Sequence, residues 1–158
     1  MKSLEKNNKL KFVLRSMTLS DLKAVTSLER KIFPDAWPES SFREILEDND
    51  WSALVAEYNG KIIGYAFFLI VLDEAHLANI AVDKPYRRKS VAKHLLEHIL
   101  RVVKEKKCEV ILLEVRVSNQ GARAFYERYG FKELYRRKRY YRDPVEDALV
   151  MILALEKQ

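Results

Sequence analysis

The sequence predicts a mixed α/β (α+β) fold, a sheet flanked by helices, in a single domain spanning residues 1–158. Three observations predict it. Segments with an apolar residue every three or four positions alternate with apolar runs of strand length. Asn59-Gly60 stands between two of those runs and supplies the positive φ angles of a tight hairpin turn. The last two strand candidates follow one another with no helical segment between them, so the sheet is mixed.

Phe12 to Arg15 reads as a first strand, and Leu19, Leu22, Val25, Leu28 and Ile32 then form one apolar helix face, with Thr18 or Ser20 as N-cap. Pro34 and Pro38 break that period, which leaves Phe33 to Pro38 as an exposed linker. Phe42, Ile45 and Leu46 mark a second short helix begun near Ser40. Trp51 to Tyr58 and Lys61 to Leu72 form the hairpin around Asn59-Gly60. A strand from His76 to Val82 stops at Asp83-Lys84-Pro85, and a long helix follows with Val91, Leu95, Ile99 and Val102 inward and Lys93, Glu97 and Arg101 outward. Val110 to Val117 reads as a buried strand. The short helix after it carries Ala124, Phe125 and Tyr129 as its apolar residues and stops at Gly130, suited to a left-handed cap. Strands at Lys132 to Arg139 and Ala148 to Leu155 close the chain, with a tyrosine-rich loop between them.

Composition narrows the function. With 48% hydrophobic residues the chain can bury a sizeable core, and its net charge of +6 favours a negatively charged partner or a solvated basic surface. Its one cysteine, Cys108, excludes an internal disulfide framework, and the Lys-rich start from Met1 to Lys11 lacks the apolar stretch of a secretory signal. The expectation is a cytoplasmic protein. The longest apolar run, Ile62 to Leu72, is shorter than the roughly 20 residues that span a bilayer, so it is expected as a core strand with no membrane partner.

Chemistry concentrates where Leu113-Glu114-Val115-Arg116-Val117-Ser118-Asn119 meets the helix containing Ala124-Phe125-Tyr126. A carboxylate and a phenol around one strand-to-helix turn are a candidate base and acid. Each also has a plainer reading: Glu114 as an ion-pair partner of Arg116, on the same strand face, and Tyr126 as a core aromatic beside Phe125 and Tyr129. His94 and His98 have metal-ligand spacing but no third ligand, so no metal is expected and a solvated helix face is the reading. Cys108 is read as structural. The basic run Arg136 to Arg139 with Arg142, interleaved with Tyr135, Tyr140 and Tyr141, reads as a charged edge, and no signature of specific nucleic-acid binding is present.

Ile80-Ala81-Val82, the basic turn Arg87-Arg88-Lys89-Ser90-Val91-Ala92 and the block from Glu114 to Phe131 together resemble the acetyl-CoA-binding core of the GNAT acetyltransferases. Val71-Leu72-Asp73-Glu74-Ala75, Leu113 to Asn119 and Tyr140-Tyr141 resemble, more narrowly, the RimI group and the archaeal N-terminal acetyltransferases. The resemblance covers most of the chain. It implies a mostly antiparallel sheet and acetyl-CoA as co-substrate. The acetyl and pantetheine portions would lie along the backbone of Ile80, Ala81 and Val82, and the pyrophosphate would be wrapped by Arg88, Lys89, Ser90, Val91, Ala92 and Lys93, with Asn119 also in contact. It gives Glu114 and Tyr126 the base and acid roles and places an extended peptide between Phe33–Phe42 and the Tyr140-Tyr141 segment. Asp35 would attract the ammonium there, with Trp37 beside it. The implied partner is a protein N-terminus, with ribosome or ribosomal-protein contact.

Ser90 departs from the glycine usual at that turn, which implies weakened, not abolished, coenzyme binding; its hydroxyl is expected to cap the following helix or bond phosphate. Two rivals stay open: an acetyltransferase for lysine side chains or small amines, and a non-catalytic coenzyme-binding module.

Overall fold

The structure, a computed structural model, describes residues 10–156; most of the Lys-rich start and residues 157–158 lie outside the described residues. Among them, seven strands form one sheet: β1 (Val13–Ser16), β2 (Trp51–Tyr58), β3 (Lys61–Val71), β4 (Glu74–Val82), β5 (Val110–Arg116), β6 (Lys132–Arg142) and β7 (Val145–Ala154). Their order is β1-β2-β3-β4-β5-β7-β6, and only β4 and β5 run parallel. The crossover between those two is α3 (Val91–Glu105); the other helices are α1 (Leu22–Ile32), α2 (Glu39–Glu47) and α4 (Gln120–Arg128). The expected mixed, mostly antiparallel sheet is the one observed.

Alternation along the strands splits the core in two. One face packs Ile63, Ala66, Ile111, Leu113 and Val115 against α3 and Tyr126 of α4. The other packs Val55, Tyr65, Phe67 and Ala81 against α1 and α2. Gly64 lets two layers approach: a Cβ there would lie 3.0 Å from the Ala81 carbonyl oxygen and 3.2 Å from Val91 Cγ1.

Local signals account for most boundaries. Asn59 and Gly60 adopt φ of 49° and 75°, the paired positive angles of the predicted turn. Gly130 caps α4 at φ 95°. Four expectations need correction. Leu72 is not core: it turns at φ 56° and is 92% exposed, so the strand ends at Val71 and β4 begins at Glu74. On α4 the buried residue is Tyr126, while Ala124 is exposed. On α3 Val103, not Val102, completes the buried stripe. Tyr140 and Tyr141 lie on β6, not in a loop, because a bulge near Arg139 (φ 51°) restores the register and Tyr141 still pairs with Glu146.

The chain enters α1 through a clamp. Thr18 N–H donates to the Asp21 carboxylate at 2.8 Å, and both terminal nitrogens of Arg15 donate to it at 2.7 and 2.8 Å. Arg15 also reaches Glu57 at 2.9 Å, joining β1, β2 and the helix start. These bonds, Arg15 first, hold Asp21 down at about 2. A depressed carboxylate stabilises the fold above its unfolded value and loses that contribution as pH falls through the folded one. Asp21→Asn is therefore expected to lower stability at neutral pH and to flatten the loss of stability between about pH 4 and pH 2, read by urea unfolding across pH.

Candidate active site

The ladder between β4 and β5 runs only from Glu74↔Val110 to Leu77↔Leu113. Beyond it β4 continues to Val82 on β3 alone, and Glu114 to Arg116 pair only with β7. The strands diverge there, exposing backbone edges to a gap. A bulge sits at the divergence: Phe68 pairs with Leu77 and Phe67 with Asn79, leaving Ala78 unpaired. Ile80 and Ala81 border the gap, while the Val82 carbonyl accepts from Arg87 Nε at 3.0 Å.

On the α3–α4 face, the segment entering α3 turns twice through the left-handed region, at Arg88 (φ 61°) and Ser90 (φ 67°). Arg88, Lys89 and Lys93 are exposed and have no ion-pair partner among the described residues. With the α3 N–H groups beginning at Val91 and Ala92, they form a cationic cradle of the kind that takes phosphate. The Ser90 side chain makes no capping bond, contrary to expectation, because its left-handed backbone turns it away from the first amides. Asn119 caps α4 instead, accepting from Ala122 N–H at 3.1 Å, which leaves its own amide N–H groups as donors. Tyr126 is buried to 8% exposure, its ring against Phe125 and Phe131, and burial pushes its phenol well above the ordinary value. It stays protonated at neutral pH, as a proton donor must.

Glu114 lies on the opposite face, because its neighbours Leu113 and Val115 point into the Tyr126 core. The candidate base and acid therefore lie on opposite faces of the sheet. Glu114 accepts from His76 Nε2 at 3.0 Å and from Arg137 at 3.2 Å. The His76 bond, then the two positive charges, lower its pKa against the opposing effect of burial. Arg116 is not its partner. That guanidinium reaches away to Asp35 at 3.2 Å, Glu146 at 3.3 Å and the carbonyls of Asp143 and Pro144, both at 3.0 Å, with its carbon 4.3 Å from the centre of the Tyr141 ring. Arg116 thus joins the α1–α2 linker to the β6–β7 hairpin. Asp35 is therefore an ion-pair partner here, not an unpaired anion for an ammonium. Trp37, expected in an exposed linker, stacks on Phe67 with centroids 5.5 Å apart and remains 36% exposed. Tyr140 is overlain by Arg137 at 4.7 Å.

Two residues were not legible as part of this site. Glu29 is 2% exposed and accepts from Tyr65 Oη at 2.6 Å, Trp37 N–H at 2.9 Å and Asn79 Nδ2 at 3.3 Å, fastening linker, sheet and the divergent end of β4 together. Its signal in the sequence is a carboxylate four residues after Val25, on the apolar side of α1. His76 has no such signal, since only strand pairing brings it to Glu114. His94 Nδ1 meets the Ser90 carbonyl at 2.6 Å and His98 meets Arg101; among the described residues no three groups converge as a metal site. Cys108 is buried, and burial raises its thiol pKa, which makes it a poor nucleophile.

A sheet opened between two strands, with a cationic helix start on one face and an ionised carboxylate on the other, defines an acyltransferase that draws on a phosphate-bearing thioester. The chain belongs to the acetyltransferase (GNAT) family, which matches residues 22–131, and acetyl-CoA is its co-substrate. It is 35% identical over 144 residues to the ribosomal protein bS18-alanine N-acetyltransferase of Escherichia coli, covering 90% of this chain and 97% of that one. It is 33% identical over 164 residues to an N-alpha-acetyltransferase of Saccharolobus solfataricus, covering 96% and 98%. The crystal structure of the ribosomal-protein-S18-alanine N-acetyltransferase from Escherichia coli superposes with a TM-score of 0.86 at 34% identity, covering 94% of this chain and 96% of that one.

Removing the Glu29 carboxylate leaves three donors without their acceptor, so Glu29→Ala is expected to cost on the order of 3 kcal/mol in urea unfolding. Burial, the largest influence, raises the Glu29 pKa. The folded chain thus holds this proton more tightly than the unfolded one, and the group's contribution is greatest in acid and falls as pH rises above the unfolded value of about 4.3. Glu29→Gln is expected to remove that fall while keeping part of the hydrogen bonding.

Proposed function

We propose that the protein transfers the acetyl group of acetyl-CoA to the N-terminal amino group of a protein, with ribosomal proteins as the substrate class, by direct transfer in a ternary complex. The observation that carries this reading is the Glu114 carboxylate at the opened end of β4 and β5, held by His76 and Arg137. An α-amino group titrates at about 7.7 to 8.0 and a lysine side chain near 10.4, so the lysine demands roughly 3.5 kcal/mol more to deprotonate. A carboxylate held low by His76 and Arg137 suits the easier amine. The acceptor face supports the reading too. Arg116 ties the linker, through Asp35, to the β6–β7 hairpin, and this reading lays an extended chain end between those two segments.

In this mechanism Arg88, Lys89, Lys93 and the first α3 amides hold the pyrophosphate, Ser90 supplies a hydroxyl, and the N–H groups of Asn119 add a contact. The thioester lies in the gap along Ile80 and Ala81. Backbone N–H groups there stabilise the oxyanion, an effect whose loss typically costs on the order of 3 kcal/mol. Glu114 orders and polarises the attacking amine through water, and Tyr126 protonates the departing thiolate. Trp37, Tyr140 and Tyr141 line the peptide's approach. No described helix is long and apolar enough to cross a membrane, and the reading places the enzyme in the cytoplasm, where nascent and ribosomal proteins present free amines.

Mass spectrometry on peptides with free alanine, serine or methionine termini and an internal lysine tests the reading. Acetylation is expected at the terminus alone, with Glu114→Gln and Tyr126→Phe each reducing turnover by roughly 10²-fold or more. Modification of the lysine instead sinks the N-terminal assignment, and unchanged turnover in either variant sinks that residue's role.

Ser90 carries a separate prediction. A left-handed conformation costs a side-chain-bearing residue about 1 kcal/mol or more, and the Cβ crowds a phosphate that approaches the backbone. Ser90→Gly is expected to bind acetyl-CoA severalfold more tightly in calorimetry; equal affinities would remove the claim that serine weakens binding.

A further inference from the structure

We propose that the free edge of β6 is a docking surface for single-stranded RNA, held through its phosphates without regard to base sequence. The inference goes beyond acetyl transfer; only its choice of RNA among polyanions draws on the ribosomal substrates proposed above.

β6 is the last strand of the sheet, paired with β7 on one side and with no other described strand. Along its 11 residues stand Lys132, Arg136, Arg137, Lys138, Arg139 and Arg142, against a single carboxylate, Glu133. Arg137 is engaged by Glu114. The side chains of Arg136, Lys138, Arg139 and Arg142 are exposed and have no ion-pair or hydrogen-bond partner among the described residues. Protecting an edge from unwanted pairing takes a charge or a bulge, and β6 already has two breaks of register, between Glu133 and Tyr135 and between Arg137 and Tyr141. The run of cations exceeds that need.

Placement and residue type select the occupant. Arg136 and Arg142 stand opposite Leu149 and Val145, on the face away from Glu114. Tyr135 stands opposite Val150, as Glu114 does, and is 54% exposed. Lys138 and Arg139 lie between, in the bulge and outside the ladder. A strand at the rim thus offers both its faces to one linear ligand, with phosphates on the cations and a base on the Tyr135 ring. Three of the four free cations are arginines, whose forked donors match a phosphate and are more weakly hydrated than an ammonium. The track is one strand wide and, from Arg136 to Arg142, at most roughly 20 Å long. Those dimensions fit a flexible polyanion, whereas a membrane plane calls for a broad basic face. The same strand carries Arg137 to Glu114, so RNA docked on β6 lies beside the acceptor side of the site. A protein held on that RNA would present its terminus close to Glu114.

The test is binding of a fluorescent oligouridylate, followed by anisotropy across salt concentration, with saturating acetyl-CoA present to fill the cradle at Arg88 and Lys89. Four phosphate contacts on a single strand give a slope of about −3 in log K against log salt, so affinity is expected to fall about 50-fold between about 50 and 200 mM salt. The combined variant Arg136→Gln, Lys138→Gln, Arg139→Gln, Arg142→Gln, checked for wild-type melting and acetyl-CoA affinity, is expected to lose more than about tenfold in affinity at low salt and most of the slope. Tyr135→Ala is expected to lose about fivefold or more with the slope unchanged, the mark of a stacked base. Wild-type affinity in the combined variant overturns the proposal. Displacement of the RNA by acetyl-CoA also overturns it, since the RNA then occupies the coenzyme cradle. Equal binding of polyglutamate, or of vesicles rich in phosphatidylglycerol, reassigns the edge to an acidic protein or a membrane. The readout needs no acetyl transfer, so failure here leaves the N-terminal reading standing, and failure of that reading leaves this binding measurable.

Discussion

The divergence of β4 from β5 after Leu77↔Leu113 is the constraint on which the rest of the structure depends. A paired strand has no backbone groups to offer; one that leaves its neighbour while still paired on the other side presents an ordered row of them. The divergence has identifiable supports. The Ala78 bulge breaks the regular twist of β4, β3 keeps it extended as far as Val82, and β7 holds β5 straight through Arg116. The loss of ladder bonding is confined to a short stretch while the layers on both faces stay packed. Gly64 contributes at the base by letting β4 and α3 come together just where the α3 N-terminus must approach the gap.

Separation by face follows from that opening. Strand alternation sends Glu114 to the face opposite Leu113 and Val115, which pack in one core with Tyr126 of α4, so the two groups can have different electrostatic settings. Burial raises the pKa of the phenol further above neutral. The less deeply buried carboxylate is kept ionised by two donors. Cations are also spatially sorted: Arg88 and Lys89, before α3, have no ion-pair partner among the described residues and are available to a phosphate, whereas Arg116 and Arg137 are engaged in holding the acceptor side together. Glu29 completes that side from beneath. A buried carboxylate is tolerable there because three donors from three elements meet it, and the same bonds fix the linker against the sheet.

Much of the fold was legible because its signals are local. The Asn59-Gly60 turn, the apolar period of α1 and α3, and the Gly130 cap depend on residues adjacent in sequence, and each lies where its chemistry directs. Leu72 misled because a short apolar run does not mark its own end, and the turn was decided by pairing between Val71 and Glu74. Tyr140 and Tyr141 misled because a bulge is invisible to alternation: an extra residue breaks the period, and a broken period reads as a loop. In the site, Glu114 and Tyr126 could be named because a strand end, a turn and a helix succeed one another directly. The ion-pair partner expected of Glu114 failed because residues two apart on a strand share a face without being obliged to meet; Arg116 found stronger acceptors in the hairpin.

By itself the sequence determined the element types, the mixed sheet, the basic turn before α3 and the two ionisable residues around the β5–α4 turn, all set by periodicity and by chain neighbours a few residues apart. Tertiary structure decided which charges are paired. His76 lies 38 positions from Glu114 and Asp35 lies 81 from Arg116, and those contacts exist only because strand order and crossover bring distant segments onto one face. The free energy of such pairings depends on desolvation and angle, which no spacing along the chain encodes. The composition of the site was written locally, while its protonation states and its open side were set by the packing of the sheet.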